Sequence, residues 1–98
     1  MTTQTQEGKL LQVYLMASYA YYVRNTNIIL DTTYDHIAKT LEARWDCFDH
    51  PHKYLVDRDD LSATTLYKLS KASDYPLIVA HAAEKWIEAV ETGKRVVK

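Results

Sequence analysis

The amino-acid sequence predicts an all-α protein that forms one domain over residues 1–98. Three observations lead to this prediction. Apolar residues recur at the three- and four-residue spacing of amphipathic helices. The chain has only two glycines and two prolines, fewer than the turns of a β protein require. Its apolar content of 47% is ordinary for a globular protein, and 98 residues suffice for a modest core.

The first half of the chain predicts a helical hairpin. Its helices span about residues 8–24 and 32–48, joined by a loop of about six residues. Asp31 is a suitable N-cap for the second helix because its short side chain can accept a hydrogen bond from the first turn. The second helix should end before Pro51, because a proline disfavours helical geometry in the preceding residue. The apolar stripes are Leu10, Tyr14, Ala17 and Tyr21 on the first helix, and Tyr34, Ile37, Ala38, Leu41, Trp45 and Phe48 on the second.

The middle of the chain predicts an irregular connector followed by a short helix. The short helix covers about residues 61–70, and Asp59 or Asp60 can cap its start. At the other end of the protein, residues 1–6 are polar and should be frayed.

The C-terminal part predicts a longer helix over about residues 76–91. Pro76 suits its first turn, and Gly93 is a signal for its end. The side chains predicted to face the core are Ile78, Val79, Ala82, Ala83, Trp86, Ile87 and Val90.

Composition and charge argue against several function classes. A formal net charge of -1 gives no attraction to nucleic acid, so we expect no direct nucleic-acid binding. No apolar run reaches the roughly 18 residues of a membrane-spanning helix, and no secretion signal is visible, so we expect no membrane association. The single cysteine, Cys47, fits a reducing compartment and a cytoplasmic location. Cys47 also falls near the apolar side of the second helix, so we expect a buried thiol.

The patterns of common catalytic and metal sites are missing. The two glycines stand alone, so there is no glycine-rich phosphate loop. His50 and His52, with Asp49 and Cys47, do not follow the spacing of a structural zinc site, and we expect no metal. No nucleophile lies in a recognisable catalytic turn. The chain alone is therefore not expected to be an enzyme.

A cluster of aromatic and acidic residues surrounds the predicted hairpin turn. Tyr21 and Tyr22 end the first helix, and Asp31, Tyr34 and Asp35 open the second. Asp31 and Asp35 are four residues apart and share one side of the helix. The cluster is either the packed corner between two helices or a site for a flat, charged ligand.

Helix packing explains most members of this cluster one at a time. Tyr21 and Tyr34 continue the apolar stripes, and Asp35 can pair with Lys39 at i+4. Tyr22 should point away from the main stripe, toward the turn. Tyr22 and Asp35 are therefore the residues that packing explains least.

The same five positions resemble a signature of the N-terminal helical domain, often called Ia, of bacterial NAD-dependent DNA ligases. The signature is Tyr21-Tyr22-Val23, seven residues, then Asp31-x-x-Tyr34-Asp35. The similarity covers about residues 10–51 and extends to Leu41-Glu42 and His50-Pro51. In those ligases the domain binds the nicotinamide mononucleotide (NMN) half of NAD. The resemblance therefore implies NMN or NAD as a ligand, with Tyr21, Tyr22, Asp31, Tyr34 and Asp35 as the contacting residues.

The chemistry of that ligand agrees with these residue types. Oxidised nicotinamide is a flat cation, which aromatic faces attract and carboxylates can hydrogen-bond and neutralise.

The sequence departs from the family pattern in several places. The loop lacks the proline common in the family, and Leu30 precedes Asp31. No lysine is followed by x-Asp-Gly, the nucleophile motif of the ligase, so the resemblance implies a non-catalytic module. It assigns no role to the helical extension, residues 52–98.

Two other functions remain open at this point. One is a protein-interaction module, such as a small adaptor or inhibitor of the kind that phages encode, binding a protein partner or a second copy of itself. Tyrosine richness favours this function, because tyrosine is a frequent interface residue. The other is a split accessory subunit that completes a separate NAD-dependent nucleotidyltransferase or ligase.

Overall fold

The structure, a computed structural model, describes residues 6–48, 50, 52–63, 69 and 71–95. These residues form four α-helices and no strand, which confirms the all-α prediction. The segment predicted to be frayed, residues 1–6, lies outside the described residues except for Gln6, where the first helix begins. The helices are α1 (Gln6–Tyr22), α2 (Asp31–Ala43), α3 (Arg58–Ala63) and α4 (Leu77–Arg95), and 3-10 turns cover Trp45–Cys47, Lys53–Leu55 and Ala72–Asp74.

α1 is the central helix, because both α2 and α4 pack against it. Its buried residues lie on several sides of the helix and not along one stripe. Such a distribution is typical of a helix surrounded by protein. α3 in turn packs against α2. The buried residues of α1 are Leu11, Tyr14, Leu15, Ala17, Ser18, Tyr19 and Ala20.

α2 buries the predicted stripe of Ile37, Ala38 and Leu41 but ends earlier than predicted. The backbone N–H of Arg44 donates to the carbonyls of both Thr40 and Leu41, each at 3.2 Å. This shared bond begins a tightening to 3-10 geometry, which is common in the last turn of a helix. The predicted continuation to residue 48 is therefore wrong.

The 3-10 turn Trp45–Cys47 still directs two aromatic rings inward. Phe48 is buried and Trp45 is half-buried, with their rings edge-on at 5.5 Å. Cys47 lies in the turn and is exposed. The predicted buried thiol is wrong, because the change of helical pitch turns this side chain away from the apolar side.

α3 begins at Arg58, three residues before the predicted start. The backbone N–H of Asp57, which precedes the helix, donates to Oδ2 of Asp60 at 2.9 Å. The predicted N-cap role of Asp59 or Asp60 is therefore wrong, because the helix begins earlier and both residues lie inside its first turn. Leu61 is fully buried. The remainder of the predicted short helix, residues 64–68 and 70, lies outside the described residues.

α4 begins directly after Pro76, whose carbonyl accepts a hydrogen bond from the Ala80 N–H at 3.0 Å. The helix continues through Gly93 to Arg95, so the predicted stop is wrong. A single glycine costs a helix only about 1 kcal/mol and need not end it. The prediction that Ile78 faces the core is also wrong, since its side chain is 68% exposed. The buried face follows a four-residue spacing at Val79, Ala83 and Ile87, joined by Ala80.

Glu84 of α4 links this helix to the C-terminal end of α1. Its Oε2 accepts a hydrogen bond from the Tyr19 hydroxyl at 2.6 Å, and its Oε1 accepts one from the Arg24 guanidinium. The hydrogen bond from the tyrosine hydroxyl has the larger effect and that from the guanidinium the smaller, and both lower the pKa of Glu84 below its ordinary value of 4.5. The ionised carboxylate therefore stabilises the folded state.

Replacing Glu84 with glutamine should lower the free energy of unfolding at pH 7 by about 1 kcal/mol. The estimate rests on one charge-assisted hydrogen bond to a buried tyrosine, because a solvent-exposed ion pair adds little. A lowered folded pKa means that the contribution is complete above pH 4.5 and disappears as the pH falls through the folded value. Urea unfolding at pH 7 and pH 3 measures the difference. The exposed Glu88 on the same helix supplies the control, Glu88→Gln, and an equal loss in both variants would contradict the link.

Candidate functional site

A groove of about 480 Å³ lies where the α1–α2 connection meets both helices. It is large enough for a nucleoside-sized ligand, because small-molecule sites span roughly 300–1,000 Å³. Four of the five residues predicted for the site line it, and the other lining residues come from α1 and the connection. The lining residues are Ala17, Tyr21, Asn27, Ile28, Ile29, Asp31, Tyr34 and Asp35.

The connection between α1 and α2 is held in a defined conformation. Asn25 has a φ of 53°, a left-handed conformation that asparagine tolerates better than most residues and that commonly ends helices. The Thr26 N–H then donates to the Ala20 carbonyl at 2.8 Å, which closes the end of α1. Ile28 and Ile29 pack against the core while also lining the groove. The groove therefore has an apolar wall that the motif alone did not reveal.

Asp31 and Asp35 bring two exposed carboxylates to the groove from the first turns of α2. Asp31 is the first residue of α2, and Leu30 occupies the N-cap position without a side-chain cap bond. The predicted N-cap role of Asp31 is therefore wrong, although an acidic group in the first turn still interacts favourably with the helix dipole. The predicted Asp35–Lys39 pair is also not among the ion pairs of the described residues, and Lys39 Nζ instead donates to the Ser62 carbonyl at 3.4 Å.

Tyr34 is the anchored aromatic residue of the groove. Its ring stacks on Tyr14 with centroids 4.7 Å apart and planes inclined by 17°. Its hydroxyl lies 2.7 Å from Oγ of Ser18, which itself donates to the Tyr14 carbonyl at 2.8 Å. Because the single Ser18 hydroxyl proton is used there, the Tyr34 hydroxyl donates to Ser18. Burial raises the pKa of Tyr34 to about 12, so the phenol stays neutral at physiological pH.

Tyr21 and Tyr22 exchange the roles that the sequence predicted for them. Tyr21 is 51% exposed and lines the groove, whereas Tyr22 is half-buried, packs against the core and is not among the lining residues. Tyr22 aligns with Leu15 and Ser18 at i+7 and i+4, so it continues the buried face of a helix covered on two sides. The two rings meet edge-on at 4.8 Å. Tyr22 therefore supports Tyr21 from behind.

The groove suits a flat, positively charged ligand. It combines two carboxylates with aromatic and aliphatic side chains. Within the described residues, no three histidine, cysteine or acidic side chains lie close enough together to hold a metal ion. His50, one of the residues considered for a metal, accepts a hydrogen bond at Nδ1 from the His52 N–H at 3.1 Å. Asp49 lies outside the described residues.

Comparisons of the chain with protein-family models, curated proteins and solved structures find no match. Among the residues that the structure describes, no helix is both long enough and apolar enough to cross a bilayer.

Proposed function

We propose that this chain is a non-catalytic module that binds the nicotinamide half of NMN or NAD in the groove between α1 and α2. The observation that carries the proposal is that Tyr21, Asp31, Tyr34 and Asp35 line one groove. The same four residues hold the positions that resemble the ligand-contacting signature of the Ia domain of NAD-dependent DNA ligases.

Each lining residue has a chemical role in this proposal. The exposed Tyr21 ring offers a face to the cationic pyridinium, and the half-buried Tyr34 and Ile28 form the adjoining walls. The carboxylates of Asp31 and Asp35 accept hydrogen bonds from the carboxamide and ribose hydroxyls and offset the ring charge. The module binds without reacting, because no lysine followed by x-Asp-Gly is present to supply a nucleophile. A role as the accessory subunit of a separate nucleotidyltransferase is compatible with this binding.

Titration of the protein with NMN by calorimetry tests the proposal. NMN at 100 times its dissociation constant should also raise the free energy of unfolding by about 2.7 kcal/mol. Replacing Tyr21 with alanine should weaken binding about 5- to 150-fold, because an aromatic stacking partner contributes roughly 1–3 kcal/mol. The matched control is Tyr54→Ala, since Tyr54 is 75% exposed and does not line the groove. An absence of both heat and thermal shift with every nicotinamide compound tested (NMN, NAD and nicotinamide riboside), each at millimolar concentration, would rule the proposal out.

A second candidate function is protein interaction, favoured by apolar side chains at the start of α4. Leu77 and Ile78 are 75% and 68% exposed. Adjacent exposed apolar side chains of this size occur at interaction surfaces. Concentration-dependent self-association in sedimentation experiments, unaffected by Tyr21→Ala, would favour this function over nucleotide binding.

A further inference from the structure

The charged side chains that line the groove are all negative. Of the described residues that line it, two are carboxylates and none is a lysine, arginine or histidine. The remaining polar groups are the Asn27 amide and tyrosine hydroxyls, which are neutral. A ligand phosphate placed here meets two like charges and no compensating cation from the described lining residues.

The basic side chains that sequence places near the groove are engaged elsewhere. Arg24, at the end of α1, pairs with Glu84 of α4. Lys39, one turn after Asp35, donates to the Ser62 carbonyl next to α3. Neither guanidinium nor ammonium is among the groups that line the groove.

The start of α2 does not compensate for this lack of cations. The N-terminus of a helix normally attracts a phosphate through its unpaired N–H groups and its dipole. Here the first residue of the helix is Asp31, whose carboxylate offsets the partial positive charge. Asp35 adds a second negative charge four residues later.

We infer that the preferred ligand class of the groove is a flat aromatic cation without a phosphate, such as nicotinamide riboside, and not the corresponding nucleotide. This inference rests on the proposed function, because it specifies which nicotinamide compound the same site selects. The cationic ring gains from the carboxylates and the tyrosine faces, whereas a phosphate attached to the ribose is repelled.

The expected discrimination is modest because both carboxylates are exposed to solvent. Repulsion between a doubly charged phosphate and two such groups within about one Debye length corresponds to a roughly five-fold change in dissociation constant. The ratio of the NMN and nicotinamide riboside dissociation constants should become smaller in high salt, because salt screens exposed charges. Replacing Asp35 with asparagine should weaken nicotinamide riboside binding and bring the two dissociation constants closer together.

Calorimetric titrations with nicotinamide riboside, NMN and uncharged nicotinamide at low salt test the inference. We expect nicotinamide riboside to bind about five-fold more tightly than NMN, and nicotinamide to bind most weakly. The control for Asp35→Asn is Asp59→Asn, which removes an exposed carboxylate outside the groove and should leave all three affinities unchanged. Equal or tighter binding of NMN would overturn the inference and leave the proposed function standing. An absence of binding by both NMN and nicotinamide riboside would overturn both.

Discussion

Replacing Leu61 with alanine should lower the free energy of unfolding by about 2–5 kcal/mol, the usual loss for a fully buried leucine. Leu61 belongs to α3 and is completely inaccessible to solvent. The six described residues of α3 are too few for their own helical propensity to hold them in place. Besides hydrogen bonds such as that between Ser62 and Glu42, packing must hold α3 against α2, and Leu61 is the buried side chain among its described residues.

Urea unfolding, followed by circular dichroism, measures this loss. The matched control is Leu77→Ala, because Leu77 is 75% exposed and its truncation removes little buried area. The control should change stability by less than about 0.5 kcal/mol, as is usual for surface positions. Equal effects of the two substitutions would show that α3 does not contribute to the core.

Replacing Tyr75 with phenylalanine should raise the free energy of unfolding by about 1–2 kcal/mol. Tyr75 is 5% exposed, and its hydroxyl has no hydrogen-bond partner among the described residues. A buried polar group without a partner carries a desolvation penalty of about 1–3 kcal/mol, which the phenylalanine ring avoids. The ring itself should stay in place, since its edge-on contact with Tyr19 at 5.3 Å does not involve the hydroxyl.

Tyr34→Phe removes the same hydroxyl group as Tyr75→Phe but should destabilise the protein. Its hydroxyl donates to Ser18, so its removal should cost about 1 kcal/mol. Thermal unfolding of both variants shows directly whether each substitution raises or lowers the stability of the protein. Destabilisation by Tyr75→Phe would mean that the hydroxyl finds a hydrogen-bond partner in solution.

The helical class and the hairpin were predictable because both depend on local sequence. The spacing of Ile37, Ala38 and Leu41 specifies one buried face of α2, and the structure buries these three residues. Helix ends were harder to predict, because they depend on small energy differences. Gly93 tolerates helical geometry, and the chain after Ala43 tightens into a 3-10 turn that the same apolar spacing also permits.

The exchange of Tyr21 and Tyr22 shows where the sequence pattern is insufficient. A single apolar stripe assumes that a helix is covered on one side, whereas α1 contacts both α2 and α4. Tyr22 lies on the covered face, and Tyr21 lies where the groove opens. Helical position relative to a single stripe therefore assigned the two tyrosines to the wrong sides, and only the tertiary contacts correct this.

Only the part of the groove that the helices form was predictable from the sequence. The four-residue spacing of Asp31 and Asp35 places both at one side of α2, and both line the groove. The contributions of Asn27, Ile28 and Ile29 depend on how the connection folds back after Asn25. The hydrogen bond between the Thr26 N–H and the Ala20 carbonyl helps to hold this conformation, and composition does not indicate that bond.

Binding of the nicotinamide ring in the groove is tested most directly by nuclear magnetic resonance of the labelled protein during titration with NMN and nicotinamide riboside. Amide signals of residues 27–35 and of Tyr21 should shift progressively with ligand concentration, since these residues line or adjoin the groove. Signals of residues 84–92 on α4, which border a different surface, should remain unchanged. Shifts concentrated on α4, or no shifts with either ligand at millimolar concentration, would contradict a nicotinamide site between α1 and α2.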